Sequence, residues 1–320
     1  VEVLRGQALG FPSAPPLTTH WDHARNLIAQ SDSLGLRFLV DGERGDARQV
    51  LHDVRRGRAH LAAMPVASLA TLVPEFEILL APYLFGSAAE ARFVCNNYLF
   101  EVFDRLLATR GLRLLVWQEL GWQGLAADSV LYSPAQTFGM RSVHTAKRFE
   151  SGTGIAGDFG VTGLARRVFF ARLGVVSSVP AFRLFPGTST QIKTVSQSSA
   201  AAGNHPFTHF TQTNHLFAMA AVVVNSDWLL SAKDEQQAVL RAAFTLPVRL
   251  ADRPPGGLSP VSLHELSAAD IAIWQRATAP VLPVLVEQIG GDSIAVLGAL
   301  ERGRAAFRSQ TMRATTNVDR

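Results

Sequence analysis

The chain has 320 residues, 48% of them hydrophobic and 18% charged, with a formal charge of +4. That composition excludes an intrinsically disordered chain, and no apolar run reaches the roughly 18 to 20 residues that cross a bilayer as a helix. The length favours two lobes, each with its own core, and the positive charge does not single out nucleic acid, because its densest cluster, "RRGR" at Arg55 to Arg58, has no interleaved aromatics.

The chain begins at "VEVLRGQALGF", without a basic segment followed by an apolar one, so the expectation is a secretory signal that is absent or already removed. Leu34 to Val40 sets Leu36, Phe38 and Val40 on one face, the two-residue period of a half-buried strand. A helix follows, with Asp46 as its N-cap, Val50, Leu51 and Val54 on one face and Gly57 at its stop. Ser87 caps a second helix in which Phe93, Phe100, Phe103 and Leu107 recur at helical spacing, and Gly111 ends it. Cys95, the sole cysteine, lies in this helix, so no intramolecular disulfide is possible. The continuous apolar run Leu112 to Trp117 reads as a strand covered on both faces. The rhythm is that of an α/β protein.

Thr162 to Leu173 predicts a helix with Leu164, Val168 and Phe169 on its apolar face and Gly174 just past its end. The polar stretch from Thr188 to His205 must contain loop. "AMAAVVVN" is the next strand. Ser231 with Asp234, and Ser267 with Asp270, open two further helices with capping-box spacing. The proline-rich Asp252 to Pro260 separates those helices and reads as a connection between lobes.

Several motifs fail on context. Gly152, Gly154 and Gly157 spell G-x-G-x-x-G, but "VHTAKRFE" before them is no buried strand and no acidic residue stands at the ribose-binding distance. His20 and His23 share a helix face without a third ligand, so no metal is expected. No G-x-S-x-G elbow anchors a serine nucleophile. No cofactor is expected. Arg141, in the otherwise uncharged "TFGMRSVH", reads on its own as the partner of a distant acid, as a solvated strand end, or as an anion anchor.

Taken in order, "GERGDARQVLHDVRRGRAHLA", "VPEFEILLAPYLF", "TNHLFAMAAVVVNSDWLLSAKDEQQAVLRAA" and "LSAADIAIWQRATAPVLPVLVEQIGG" resemble segments of the solute receptors of tripartite ATP-independent periplasmic (TRAP) transporters, the DctP-type family. The resemblance spans nearly the whole chain. It implies two α/β lobes with a ligand cleft between them, lobe I from 1–120 with 212–250 and lobe II from 121–211 with 251–320 and the C-terminal helices.

"TFGMRSVH" is similar to the family's "GLKIRVP" strand, whose arginine pairs with the solute's carboxylate. Arg141 is the implied match, and a guanidinium suits the task because it donates two parallel N–H bonds to one carboxylate. Gln123 stands where the family usually carries a second arginine, which implies a monocarboxylate or a ligand with a neutral polar group. Asn204 matches a ligand-contacting asparagine, Phe182 a pocket-lining aromatic, and Trp122 is either pocket wall or core. Between Arg141 and Leu173 the chain exceeds the family pattern by "HTAKRFESGTGIAGDFG", either a reshaped pocket mouth or a surface loop. The implied function is a periplasmic receptor that binds a small organic acid and passes it to a TRAP permease, with no nucleic-acid partner and no membrane span. The alternatives are a receptor-like sensory or scaffolding domain, and an enzyme in which His144 acts as base on a carboxylate substrate.

Overall fold

The computed structural model describes residues 3–9, 17–39, 47–144, 163–180, 191–196, 207–245 and 261–318. Its first third alternates β1 (Leu4–Leu9), α1 (Leu17–Ala29), β2 (Leu34–Leu39), α2 (Ala47–Arg55) and β3 (Leu61–Pro65). Strands β2 and β3 both run parallel to β1, as helical crossovers require. Val50, Leu51 and Val54 of α2 are buried as their spacing predicts, and Gly57 takes the left-handed φ of 68° that stops the helix. Asp46 lies outside the described residues.

A short helix α3 (Val66–Leu69) and a 3₁₀ segment, Pro74–Leu80, lead to α4 (Ala88–Val94) and α5 (Phe100–Ala108). The Ser87 hydroxyl accepts the Glu90 amide at 3.0 Å, the predicted cap. Between α4 and α5 the chain makes a π-helical turn, Cys95–Leu99. The wider turn rotates the face between Phe93 and Phe100, so Phe103 and Leu107 are fully buried while Phe93 and Phe100 pack on the flank.

The remaining elements are β4 (Leu112–Ala127), β5 (Arg141–His144), α6 (Leu164–Arg172), β6 (Val176–Pro180), β7 (Gln191–Ser196), β8 (His209–Asn225), α7 (Ser226–Ser231), α8 (Asp234–Phe244), β9 (Ser262–Glu265), α9 (Ala268–Thr278), α10 (Val281–Ile289) and α11 (Ser293–Val318). The predicted strand ending at Trp117 continues ten residues further as β4. Glycines at 121 and 124 interrupt its apolar pattern without ending the ladder, because the strand absorbs them at register shifts. The helix expected to open at Ser231 opens instead after Lys233, whose amide donates to Gln236 Oε1 at 2.9 Å. Ser231 closes α7 by donating to the Trp228 carbonyl. Ser267 caps α9 as predicted, accepting the Asp270 amide.

The nine strands among the described residues form one sheet, in the order β2-β1-β3-β8-β4-β7-β5-β6, with β9 also paired to β8. Its halves are packed separately. Around β1 to β3 two clusters bury side chains on either face, one built on Phe76, Phe103 and Val223 and one on Trp21, Leu61 and Phe244. Around β5 to β7 a third holds Leu125, Phe169, Ile192 and Trp274, and a fourth Val195 and Phe210. Helices α9 to α11, which the sequence reading grouped with the second lobe, contribute to two clusters. Trp274 of α9 joins the third cluster, while Val281 and Leu285 of α10 and Val296 and Leu300 of α11 enter the first.

β4 and β8 run antiparallel through both halves. At Gly124 their backbones approach so closely that an added Cβ would stand 2.5 Å from the Thr211 carbonyl oxygen and 2.5 Å from the Phe210 ring. Gly124→Ala is therefore expected to destabilise the fold by about 3 kcal/mol, as overpacking against backbone does, read as a lower urea midpoint at unchanged m-value.

Candidate functional site

A cavity of about 60 Å³ lies between α6, the 3₁₀ segment and the β4, β7, β8 part of the sheet. Its polar wall consists of Glu77, Gln123, Arg166, Thr194 and His215, and Leu80, Phe169 and Leu216 supply apolar surface. That mix of mostly apolar lining with a few convergent polar groups suits a small ligand.

Each polar side chain is positioned by a different element. Gln123 stands on β4 and Thr194 on β7, where Thr194 pairs opposite Leu125. Gln123 is 1% exposed, and its Nε2 has no hydrogen-bond partner among the described residues. A buried donor left in that state costs about 1 to 3 kcal/mol.

His215 reaches the cavity through a distortion of β8. From the pair Gln123 with Leu216 to the pair Leu125 with Thr211, β4 advances two residues while β8 spends five. The surplus bends the chain through Asn214 at a left-handed φ of 45°. Tyr83, itself at φ 55°, pins the bend. Its amide donates to the His215 carbonyl at 2.6 Å and its hydroxyl to the Thr213 carbonyl at 3.1 Å. The His215 ring stacks on Phe169 at 4.8 Å, with Nδ1 2.8 Å from the Thr213 hydroxyl. Burial pushes this imidazole down to about 3, so it is neutral.

Glu77 closes the cavity at the start of α6. Its two carboxylate oxygens accept the amides of Leu164 at 3.0 Å and Ala165 at 2.9 Å, where a helix N-terminus favours negative charge. One residue further on, Arg166 presents the guanidinium of the wall, 5.4 Å above the Phe170 ring. Among the described lining residues, Glu77 and Arg166 are the two formally charged side chains.

Of the residues singled out by sequence, Gln123 lines this cavity. Arg141 does not: it is exposed at the first position of β5, and strand alternation turns it away from its neighbour Ser142, which is 3% exposed. Trp122 packs on Phe217, ring centroids 5.0 Å apart, against the first cluster and outside the cavity wall. Phe182, Asn204, the insertion at 145–161 with its three glycines, and the side chain of His144 lie outside the described residues. No group of three or more metal-ligating side chains occurs among the described residues.

Sequence reasoning missed Arg166, Glu77, Thr194 and His215. Arg166 carried one legible signal: it precedes Phe169 and Phe170 by three and four residues and so shares their buried face.

Residues 33–142 match the model of DctP, bacterial extracellular solute-binding protein, family 7. The chain is 20% identical over 273 residues, 79% of its length and 76% of the relative's, to the C4-dicarboxylate-binding periplasmic protein DctP of Rhodobacter capsulatus. Its fold matches the periplasmic ectoine-binding protein of the TeaABC TRAP transporter of Halomonas elongata, with a TM-score of 0.73 at 14% identity, covering 94% of this chain and 99% of that one. It also matches the sugar acid binding protein DctPAm of Advenella mimigardefordensis in complex with galactonate, with a TM-score of 0.70 at 16% identity, covering 95% and 99%. The resemblance to TRAP receptors and the two-lobed α/β fold are thereby borne out.

His215 also makes a stability test. Its folded value lies below the unfolded value of about 6.5, so the unfolded chain binds a proton that the folded one does not. Stability contributed by neutral His215 is therefore lost as pH falls from about 6.5 towards 3, by up to about 1.4 kcal/mol per pH unit. Urea unfolding of wild type and His215→Gln across that window should show a shallower pH slope in the variant. Equal slopes would mean that the ring does not titrate on unfolding.

Proposed function

We propose that this chain is an extracytoplasmic solute receptor that takes a small organic acid into the cavity beside α6, closes on it, and delivers it to a TRAP-type permease. The observation that carries the reading is Gln123: a fully buried amide donor without a partner among the described residues, in the same wall as the Arg166 guanidinium. A carboxylate there meets the positive charge of Arg166 and accepts an N–H bond from Gln123, while Phe169, Leu80 and Leu216 supply apolar surface.

The relatives support an acid. One is named for C4-dicarboxylates and another was solved with galactonate. We place the protein in the periplasm, as the names of its periplasmic relatives suggest. Among the described residues no helix is long and apolar enough to cross a membrane. No bond is made or broken in this reading, and turnover of a stabilising acid would replace the receptor by an enzyme.

We assign the anchoring charge to Arg166 rather than Arg141. After a thermal-shift screen identifies an acid, calorimetry should show Arg166→Ala binding it at least tenfold more weakly, since a charged hydrogen-bond pair contributes about 1.5 to 3 kcal/mol. Arg141→Ala should shift the affinity less than twofold. The opposite order would return the anchor to β5. Gln123→Leu should weaken the acid about tenfold yet raise the stability of the unliganded protein by about 1 kcal/mol, because it removes an orphan donor. A variant that lost both affinity and stability would show Gln123 to be structural.

A further inference from the structure

The described wall carries one positive and one negative side chain, Arg166 and Glu77. Glu77 is 8% exposed, and both of its oxygens are occupied by the first amides of α6. To turn away from the cavity it would have to leave those two donors buried without an acceptor. Among the described lining residues the other polar groups carry no charge that would neutralise a second anion. Gln123 and Thr194 are uncharged, and burial keeps His215 neutral. Lys193, the neighbour of Thr194 on β7, is buried but is not part of the cavity wall, and Arg141 is exposed outside it.

We propose that Glu77 makes this site selective for monoanions, by standing fixed in the wall that Arg166 shares and repelling any second carboxylate of the solute. This rests on the receptor reading above and names its substrate class: a monocarboxylate whose remaining groups are neutral. The magnitude follows from Coulomb's law. At an effective dielectric of about 20, two unit charges about 6 Å apart repel by the equivalent of about a hundredfold in affinity. The α6 N-terminus offsets about half a charge, which leaves a discrimination on the order of tenfold. The departure from the relative named for C4-dicarboxylates is thus attributed to one acidic side chain and one guanidinium in this wall.

The test uses the full chain and two matched pairs of probes that differ by one carboxylate, butyrate against succinate and gluconate against glucarate. Wild type should bind the monoacid of a pair at least about tenfold more tightly by calorimetry. Glu77→Gln retains one acceptor for the α6 amides and removes the charge, so it should bring the two acids within about threefold. Circular dichroism verifies its fold. Should that variant fail to fold, Thr194→Lys, which adds a cation to the same wall and leaves Glu77 in place, should narrow the ratio as well. Diacid binding by wild type as tight as monoacid binding, or a ratio unchanged in the folded variants, overturns the assignment to Glu77 while leaving the receptor intact. Wild type that binds neither member of either pair, and no acid in the thermal-shift screen, overturns the receptor reading and this inference with it.

Discussion

The pairing of β4 with β8 is the constraint on which the rest of the structure depends. These strands, 16 and 17 residues long, enter both halves of the sheet, so neither half can be placed without the other. A regular ladder of that length would be a stiff twisted ribbon. Instead the register shifts three times, and the last shift leaves a surplus on β8 that bends through Asn214. Left-handed backbone at a residue other than glycine is unfavourable and persists only where its surroundings over-determine it. Here the surroundings are Tyr83, which contributes its amide and hydroxyl to the bend and carries a positive φ of its own. The result of that local strain is chemical: it delivers His215 to a cavity wall that a regular strand would not have placed it in.

Helix α6 forms the opposite wall, and it belongs to two cores at once. Ala165 is buried in the first cluster, with Phe76 and Leu285, whereas Phe169 and Phe170 are buried in the third, with Leu125 and Trp274. Arg166 falls between these two sets of contacts. Glu77, from the 3₁₀ segment of the first half, fastens the start of the same helix through two amides. Any motion that parts the two halves must separate α6 from one of its cores or break the Glu77 cap. The cation, the amide and the imidazole therefore converge where α6 bridges the two cores.

The alternation of strands and helices was legible because it follows from local periodicity. The apolar spacing of α2, the Ser87 and Ser267 caps and the stop at Gly57 all come from residues within one turn of each other. The length of β4 was not legible, since two glycines broke its pattern and the neighbour that compensates them, β8, is nearly a hundred positions away. The π turn after Val94 leaves no mark in apolar spacing either. In the site, Gln123 was legible only through the family resemblance, as the residue that stands where the family usually carries a second arginine. Arg166 was legible only through its spacing to Phe169 and Phe170, for an arginine on a helix is ordinarily a solvated one. Only the contacts of Phe169 and Phe170 with a distant strand turn that face inward. Arg141 lies outside the lining of this cavity for the converse reason. A strand offers two faces, and pattern alone does not say which one meets the cavity until the burial of Ser142 settles the pleat.

The site also explains why an unpartnered donor is tolerated. Gln123 sits in a strand whose next residues, Leu125 and Ala127, face the same third cluster, so a hydrophobic residue at 123 would extend that core without penalty. The amide instead leaves the empty protein less stable than it could be. Its neighbours cannot relieve it: the Glu77 oxygens are engaged by α6, and the His215 ring is held by Thr213 and Phe169. A ligand acceptor that meets Nε2 would satisfy a donor that no described protein group satisfies. An orphan donor kept in a rigid strand is in this sense affinity stored in the unliganded fold.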